Sequence, residues 1–131
     1  MSKKVVLVGH CGPDTSYLRM AVTSALRGAT VLAADDAQEL SALLADGVDL
    51  LLFNRELGWG FDENEGVDVI RSLRARHPNV KMMLVSNFPE AQAAALSAGA
   101  LPGFGKREIG TPRVTQLLRE AMSDQVAVKP D

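Results

Sequence analysis

The chain is expected to fold as a doubly wound α/β domain around a five-stranded parallel sheet, and three observations carry that expectation. Short β-branched and leucine-rich runs alternate with longer amphipathic ones, five pairs in succession. Asp49 to Phe53 is almost wholly apolar, the mark of a strand buried on both faces at the centre of a parallel sheet. With 131 residues, 47% of them hydrophobic, the chain has the size and composition of one compact domain that needs no staples. Right-handed crossovers between parallel strands then make the doubly wound topology the economical one.

The elements follow in order. Lys4 to Val8 reads as the first strand. Gly12-Pro13-Asp14 punctuates, and a helix over Thr15 to Arg27 is closed by Gly28. Thr30 to Ala33 is a second, short strand. The Asp35-Asp36 pair caps a helix that runs through Ala45 and stops at Asp46-Gly47. After the third strand, Asp49 to Phe53, comes a long polar and glycine-rich connection, Asn54 to Glu65. A helix over Gly66 to Arg76 sets Val67, Ile70 and Leu73 on one face, and His77-Pro78 ends it. Lys81 to Val85 is the fourth strand. Pro89 opens an alanine-rich helix in its first turn and Gly99 ends it. Leu101 to Phe104 is a weak fifth strand, and Thr111-Pro112 starts a last helix with Val114, Leu117, Leu118 and Met122 turned inward. Residues 1–125 are thus expected to form the domain, and 126–131 a short loose tail.

Composition narrows the function classes. Cys11 is the single cysteine, so no intrachain disulfide exists, and the apolar stretch after Met-Ser-Lys-Lys is too short for a signal peptide; a reducing cytoplasm fits. No apolar run approaches the roughly 20 residues of a membrane-spanning helix, so no membrane partner is expected. Fourteen basic against sixteen acidic residues give a net charge of -2, without the basic excess of a nucleic-acid surface. Gly9-His10-Cys11-Gly12 completes neither a dinucleotide fingerprint nor a phosphate-gripping loop, and no cofactor is implied.

Individual landmarks go further than the βα count, which many functions share. Leu50-Leu51-Leu52-Phe53-Asn54 resembles the third strand of a bacterial response-regulator receiver domain, with Asn54 at the phosphate-accepting position. Arg71 to Pro78 followed by Val80 to Ser86 resembles the receiver's third helix and fourth strand, with Ser86 at the switch Ser or Thr. Gly99-Ala100 and Lys106 match the Gly-Ala pair and the lysine around the receiver's fifth strand. The likeness runs from Lys4 to about Met122. It implies the flavodoxin-like (βα)5 fold, strand order 2-1-3-4-5, and a two-component signalling role without enzymatic turnover.

The departures matter equally. Receivers hold magnesium with two adjacent acidic residues after the first strand, and here that place reads Gly9-His10. The family's proline after the lysine is Arg107, the aromatic switch position is Gly103, and the connection from Asn54 to Gly66 is longer than usual. An amide cannot form a stable acyl phosphate, magnesium prefers carboxylate oxygens, and Gly9 offers none. Gly9, His10, Asn54, Glu56, Ser86 and Lys106 therefore read as a degenerate phosphorylation pocket. In it Lys106 is expected to pair with Glu56, and Ser86 to bond backbone at its strand end. The implied function is contact with a protein partner independent of phosphate. By resemblance the contact face is the fourth helix, fifth strand and fifth helix, where a homodimer can also form.

Other readings stay open. The same strand-end crevice, with His10, Cys11, Asn54, Glu56, Ser86, Asn87 and Lys106 around it, suits a flavodoxin-like domain that binds a small ligand or metal. The His10-Cys11 dipeptide, with Asp14 and Glu56, is a weak metal signal because adjacent residues in an extended chain point apart. Trp59 and Phe61 have two readings: core cover near the third helix, or an exposed recognition tip flanked by glycines and acidic residues.

Overall fold

A computed structural model describes residues 3–58 and 60–123. The tail over 126–131 and Trp59 lie outside the described residues. The elements are β1 (Lys4–Val8), α1 (Gly12–Ala25), β2 (Thr30–Ala34), α2 (Ala37–Asp46), β3 (Leu50–Asn54), α3 (Gly66–Arg76), β4 (Lys81–Val85), α4 (Pro89–Ala98), β5 (Leu101–Phe104) and α5 (Pro112–Ala121). All strands are parallel and lie in the order β2-β1-β3-β4-β5, as the sequence implies.

Alternation along β3 shows how the layers form. Leu51 and Phe53 face α2, α3 and α4, while Leu50 and Leu52 face α1 and α5. All four are fully buried, and each contributes about 1.5–3 kcal/mol of transfer free energy. The all-apolar run is thus explained by a central strand sandwiched between two helical layers.

Of the boundaries that differ from the sequence expectation, two lie at the carboxyl edge of the sheet. α1 begins at Gly12, three residues before Thr15 in the numbering, because Pro13 fits the first turn, where its missing N–H costs nothing. β3 extends through Asn54, which pairs with Val85 and so carries its side chain on the strand itself. Asp36 caps α2 as expected: its carboxylate accepts the Glu39 N–H at 2.7 Å.

The outer edges of the sheet are dressed. On β2, Thr30 N–H donates to Lys3 O at 2.8 Å and Ala34 O accepts from Gly9 at 3.0 Å, so the even residues bond to β1. Val31 O then faces outward, and the Arg19 guanidinium from α1 donates to it at 2.7 Å. On β5, the register to β4 slips between Met83 and Val85, leaving Pro102 and Gly103 in a bulge.

Candidate functional site

The carboxyl ends of β1, β3 and β4 converge, the edge at which open α/β sheets place their sites. β1 leaves the sheet through Gly9, whose φ of +74° is a left-handed conformation that side chains other than glycine adopt with strain. The space above Gly9 is taken: a β-carbon built there would lie 2.5 Å from Leu57 Cδ2. Leu57 comes from the long connection after β3 and is itself buried.

His10 turns back beneath that edge. Only 8% of the residue is exposed, and its Nε2 lies 2.9 Å from Leu52 O. A carbonyl only accepts, so Nε2 carries the proton and Nδ1 is bare. Nδ1 is buried without a hydrogen-bond partner among the described residues. Burial holds the imidazole pKa below the usual value; the Leu52 carbonyl opposes this and the Lys106 charge adds to it.

Asn54 braces two strand ends. Its Nδ2 donates to Gly9 O at 3.1 Å and to Glu56 O at 3.0 Å, and its Oδ1 accepts the Arg55 N–H at 3.0 Å. Two carbonyls and one N–H surround the group, so this amide orientation is the only one that satisfies all three.

Lys106 does not pair with Glu56. Its Nζ sits 2.9 Å from Asp14 Oδ2 in the first turn of α1, and this bond is the main reason the Asp14 pKa falls below the usual carboxylate value. Glu56 pairs instead with its neighbour Arg55 at 3.3 Å, an exposed contact of little energetic weight. Chain direction explains the difference: α1 begins directly beside β1 and brings Asp14 toward the β5 end, while Glu56 is carried outward by the hairpin described below. Ser86 Oγ accepts the Phe88 N–H at 3.1 Å. Asn54, Glu56, Ser86 and Lys106 share a cleft of about 210 Å³ with Asn87 and Phe88 on its wall. Gly9, His10 and Cys11 do not line it.

Among the described residues of the connection, Glu56 and Glu65 pair as the stem of a small hairpin. Their bridge is antiparallel, and Leu57 N–H donates to Asn64 O at 2.8 Å. Its tip is tied to α2, where Ala37 N–H donates to Gly60 O at 2.8 Å. Phe61 is only 8% exposed and lies with Leu40 and Leu73 in the groove between α2 and α3, so it is core cover and not a recognition tip. The reason is geometric: a tip pinned at Gly60 has only this groove in which to bury the next ring.

The β4–β5 edge is held by a side chain of α4. A β-carbon on Gly103 would collide with Leu84 O and come 2.8 Å from Gln92 Oε1. Gln92 Nε2 reaches in from α4 and lies 2.9 Å from Leu84 O, 3.1 Å from Ser86 O and 3.2 Å from Phe104 O. It clamps α4 onto the β4–β5 bulge.

These donors do not fit a magnesium ion. Gly9 has no side chain, the His10 Nε2–H is spent on Leu52 O, and Asn54 turns its hydrogens toward the Gly9 carbonyl. Among the described residues, no three His, Cys, Asp or Glu side chains gather as a metal would require. Leu57 and Gln92 were the site residues that sequence reasoning missed, whereas Asp14 was expected only beside His10 and Cys11 and not as the partner of Lys106. Leu57 left one signal, the single aliphatic residue in a connection otherwise made of polar, glycine and aromatic residues.

No protein-family model matches the chain. It is 32% identical over 123 residues to the transcriptional regulatory protein CpxR of Klebsiella pneumoniae, a match that spans 90% of this chain and 50% of that protein. The chain therefore spans about half the length of that relative. Among solved structures, the signal receiver domain of an HD domain-containing protein from Pseudomonas fluorescens Pf-5 superposes with a TM-score of 0.77 at 19% identity, covering 97% of this chain and 99% of the other. A co-crystal of the Saccharomyces cerevisiae histidine phosphotransfer protein Ypd1 with the receiver domain of Ssk1 gives 0.75 at 14% identity, with 99% and 95% covered. Strand order and superposition give the chain the fold of the receiver domains of two-component response regulators, and its likeness to a response regulator runs along nine-tenths of its sequence.

Proposed function

We propose that the domain signals by contact with a protein partner, in the cytoplasm, without aspartyl phosphorylation and without catalytic turnover. One observation carries the reading: at the acceptor position stands a neutral amide with both hydrogens committed to carbonyls and its oxygen held by a backbone N–H. Phosphoryl transfer to a side chain needs an oxygen nucleophile and cations aimed at the transferring group. Lys106, the one family cation retained, is drawn to Asp14.

The contact face inferred from the family is α4, β5 and α5. Leu96 is 49% exposed there, and Ala93 and Pro102 beside it are small or rigid, which favours close approach of a partner or a second copy. The Ssk1 receiver is crystallised with a histidine phosphotransfer protein, and a protein of that class is one partner to test here. Sedimentation equilibrium reading only monomer at high concentration would remove the second copy.

The decisive test is incubation with magnesium and acetyl phosphate followed by mass spectrometry of the intact chain. The expected result is no phosphoryl adduct. An adduct that Asn54→Ala abolishes would overturn the reading.

A second reading, a small-ligand or metal binder, draws on the cleft of about 210 Å³ that places Arg55 and Lys106 beside neutral Asn54, Ser86 and Asn87. Thermal shifts with nucleotides, flavins and divalent metals separate the two, since a ligand that binds only the folded state raises Tm by mass action. No shift at millimolar ligand is expected.

A further inference from the structure

α3 and α4 pack against each other, but their N-terminal ends diverge around a groove of about 490 Å³. Its floor is Val67, Ala91 and Ala94, and small side chains there leave the α4 backbone open to close approach. Phe88 forms one wall. It is the N-cap residue of α4, where a side-chain oxygen would bond the first turn, yet it makes no such bond and stays 50% exposed. Arg55 stacks on the ring at 4.6 Å and holds it in place. An apolar ring in this position serves neither the helix cap nor the core.

The charges around the groove are unbalanced. Arg71 is spent on Asp68 at 3.0 Å, and Arg55 on Glu56 and the Phe88 ring. Glu65 and Glu90 line the same groove and make no ion pair among the described residues. Glu65 is the N-cap residue of α3 and does not use its side chain as a cap. The groove therefore offers an apolar floor, a held aromatic wall and two unspent carboxylates.

We propose that this groove docks a basic, apolar-anchored segment of a partner protein. A leucine-sized side chain enters between Val67, Phe88 and Ala94, and flanking lysine or arginine groups meet Glu65 and Glu90. The surface differs from the α4–β5–α5 face, and the inference holds whether or not Asn54 accepts phosphate.

The test uses the full chain at low salt and two probes, N-acetyl-Arg-Leu-Leu-Arg-amide and N-acetyl-Glu-Leu-Leu-Glu-amide, followed by amide proton–nitrogen correlation spectra. The basic peptide is expected to shift the amides of Val67, Phe88, Ala91 and Ala94, and the acidic peptide to leave them. The double variant Glu65→Lys, Glu90→Lys, altered at two exposed positions, should bind the basic peptide at least about tenfold more weakly and gain affinity for the acidic one. Phe88→Ala should weaken the basic peptide with both charges intact. Three results would each overturn the proposal: shifts outside the groove, equal shifts with both peptides, or basic-peptide binding undiminished by the charge reversal.

Discussion

An amide and a carboxylate of the same size act in opposite ways at position 54. The amide donates to Gly9 O and Glu56 O. A carboxylate there would face the same two carbonyls with no hydrogen to offer. Asn54→Asp is therefore expected to destabilise the fold by about 2–4 kcal/mol at neutral pH, read as a lower denaturant midpoint. The carboxyl would favour its protonated form, which donates one of the lost bonds, so the folded pKa rises above the unfolded one. The stability of this variant should then recover as pH falls toward the ordinary carboxylate range, the reverse of usual acid behaviour. Adding Gly9→Asp and His10→Asp is not expected to restore magnesium binding by calorimetry, because Leu57 and the positive φ at Gly9 exclude the new carboxylate. Sequence alone identified Asn54 and the missing acidic pair. It did not reveal Leu57, because no periodicity in a connection says which apolar residue turns inward.

At the scale of elements, α4 is seated on the sheet by small apolar side chains, Ala95 and Ala98 buried with Ala91 and Ala94 partly so, together with the Gln92 amide. Gln92→Ala removes a group shared by three carbonyls and is expected to cost about 1–3 kcal/mol. The loss should be local, with faster amide exchange in α4 and the β4–β5 bulge and little change in β1 or β3. Exchange that rises uniformly would instead mean that the clamp stabilises the whole fold. Strands and helices were legible because each repeats its burial pattern over several residues, as in Lys81–Val85 and Gly66–Arg76, whose predicted bounds match. The Glu56–Glu65 hairpin was not legible: its order comes from single long-range contacts, Gly60 to Ala37 and Phe61 into the α2–α3 groove. The Lys106 partner was misread for the same reason, since proximity in sequence to Asn54 favoured Glu56 over Asp14.

For the molecule as a whole, two titrating groups set separate acid limits. His10 has a folded pKa below its ordinary 6.5, so the unfolded chain takes up its proton first. Its contribution is complete above 6.5 and is lost as pH falls through the interval down to the folded value. Asp14 has a folded pKa below 3.8, so the stability from its Lys106 bond is intact above that pH and lost further down. Thermal unfolding should thus show Tm declining as pH falls below 6.5, and His10→Phe should flatten that decline while keeping the deeper acid limb. An equally steep decline in the variant would assign the upper limb to another group. The dressed sheet edges carry a different consequence, for assembly. Arg19 occupies the outward carbonyl of Val31 on one side, and Pro102 has no N–H to give on the other. Margins interrupted at these two points are poorer templates for strand addition, the usual route to aggregation in an open sheet. Any complex this domain builds should therefore be joined by side-chain contact, the β5 margin included, and not by an added strand, with the five-stranded sheet ending where this chain ends it.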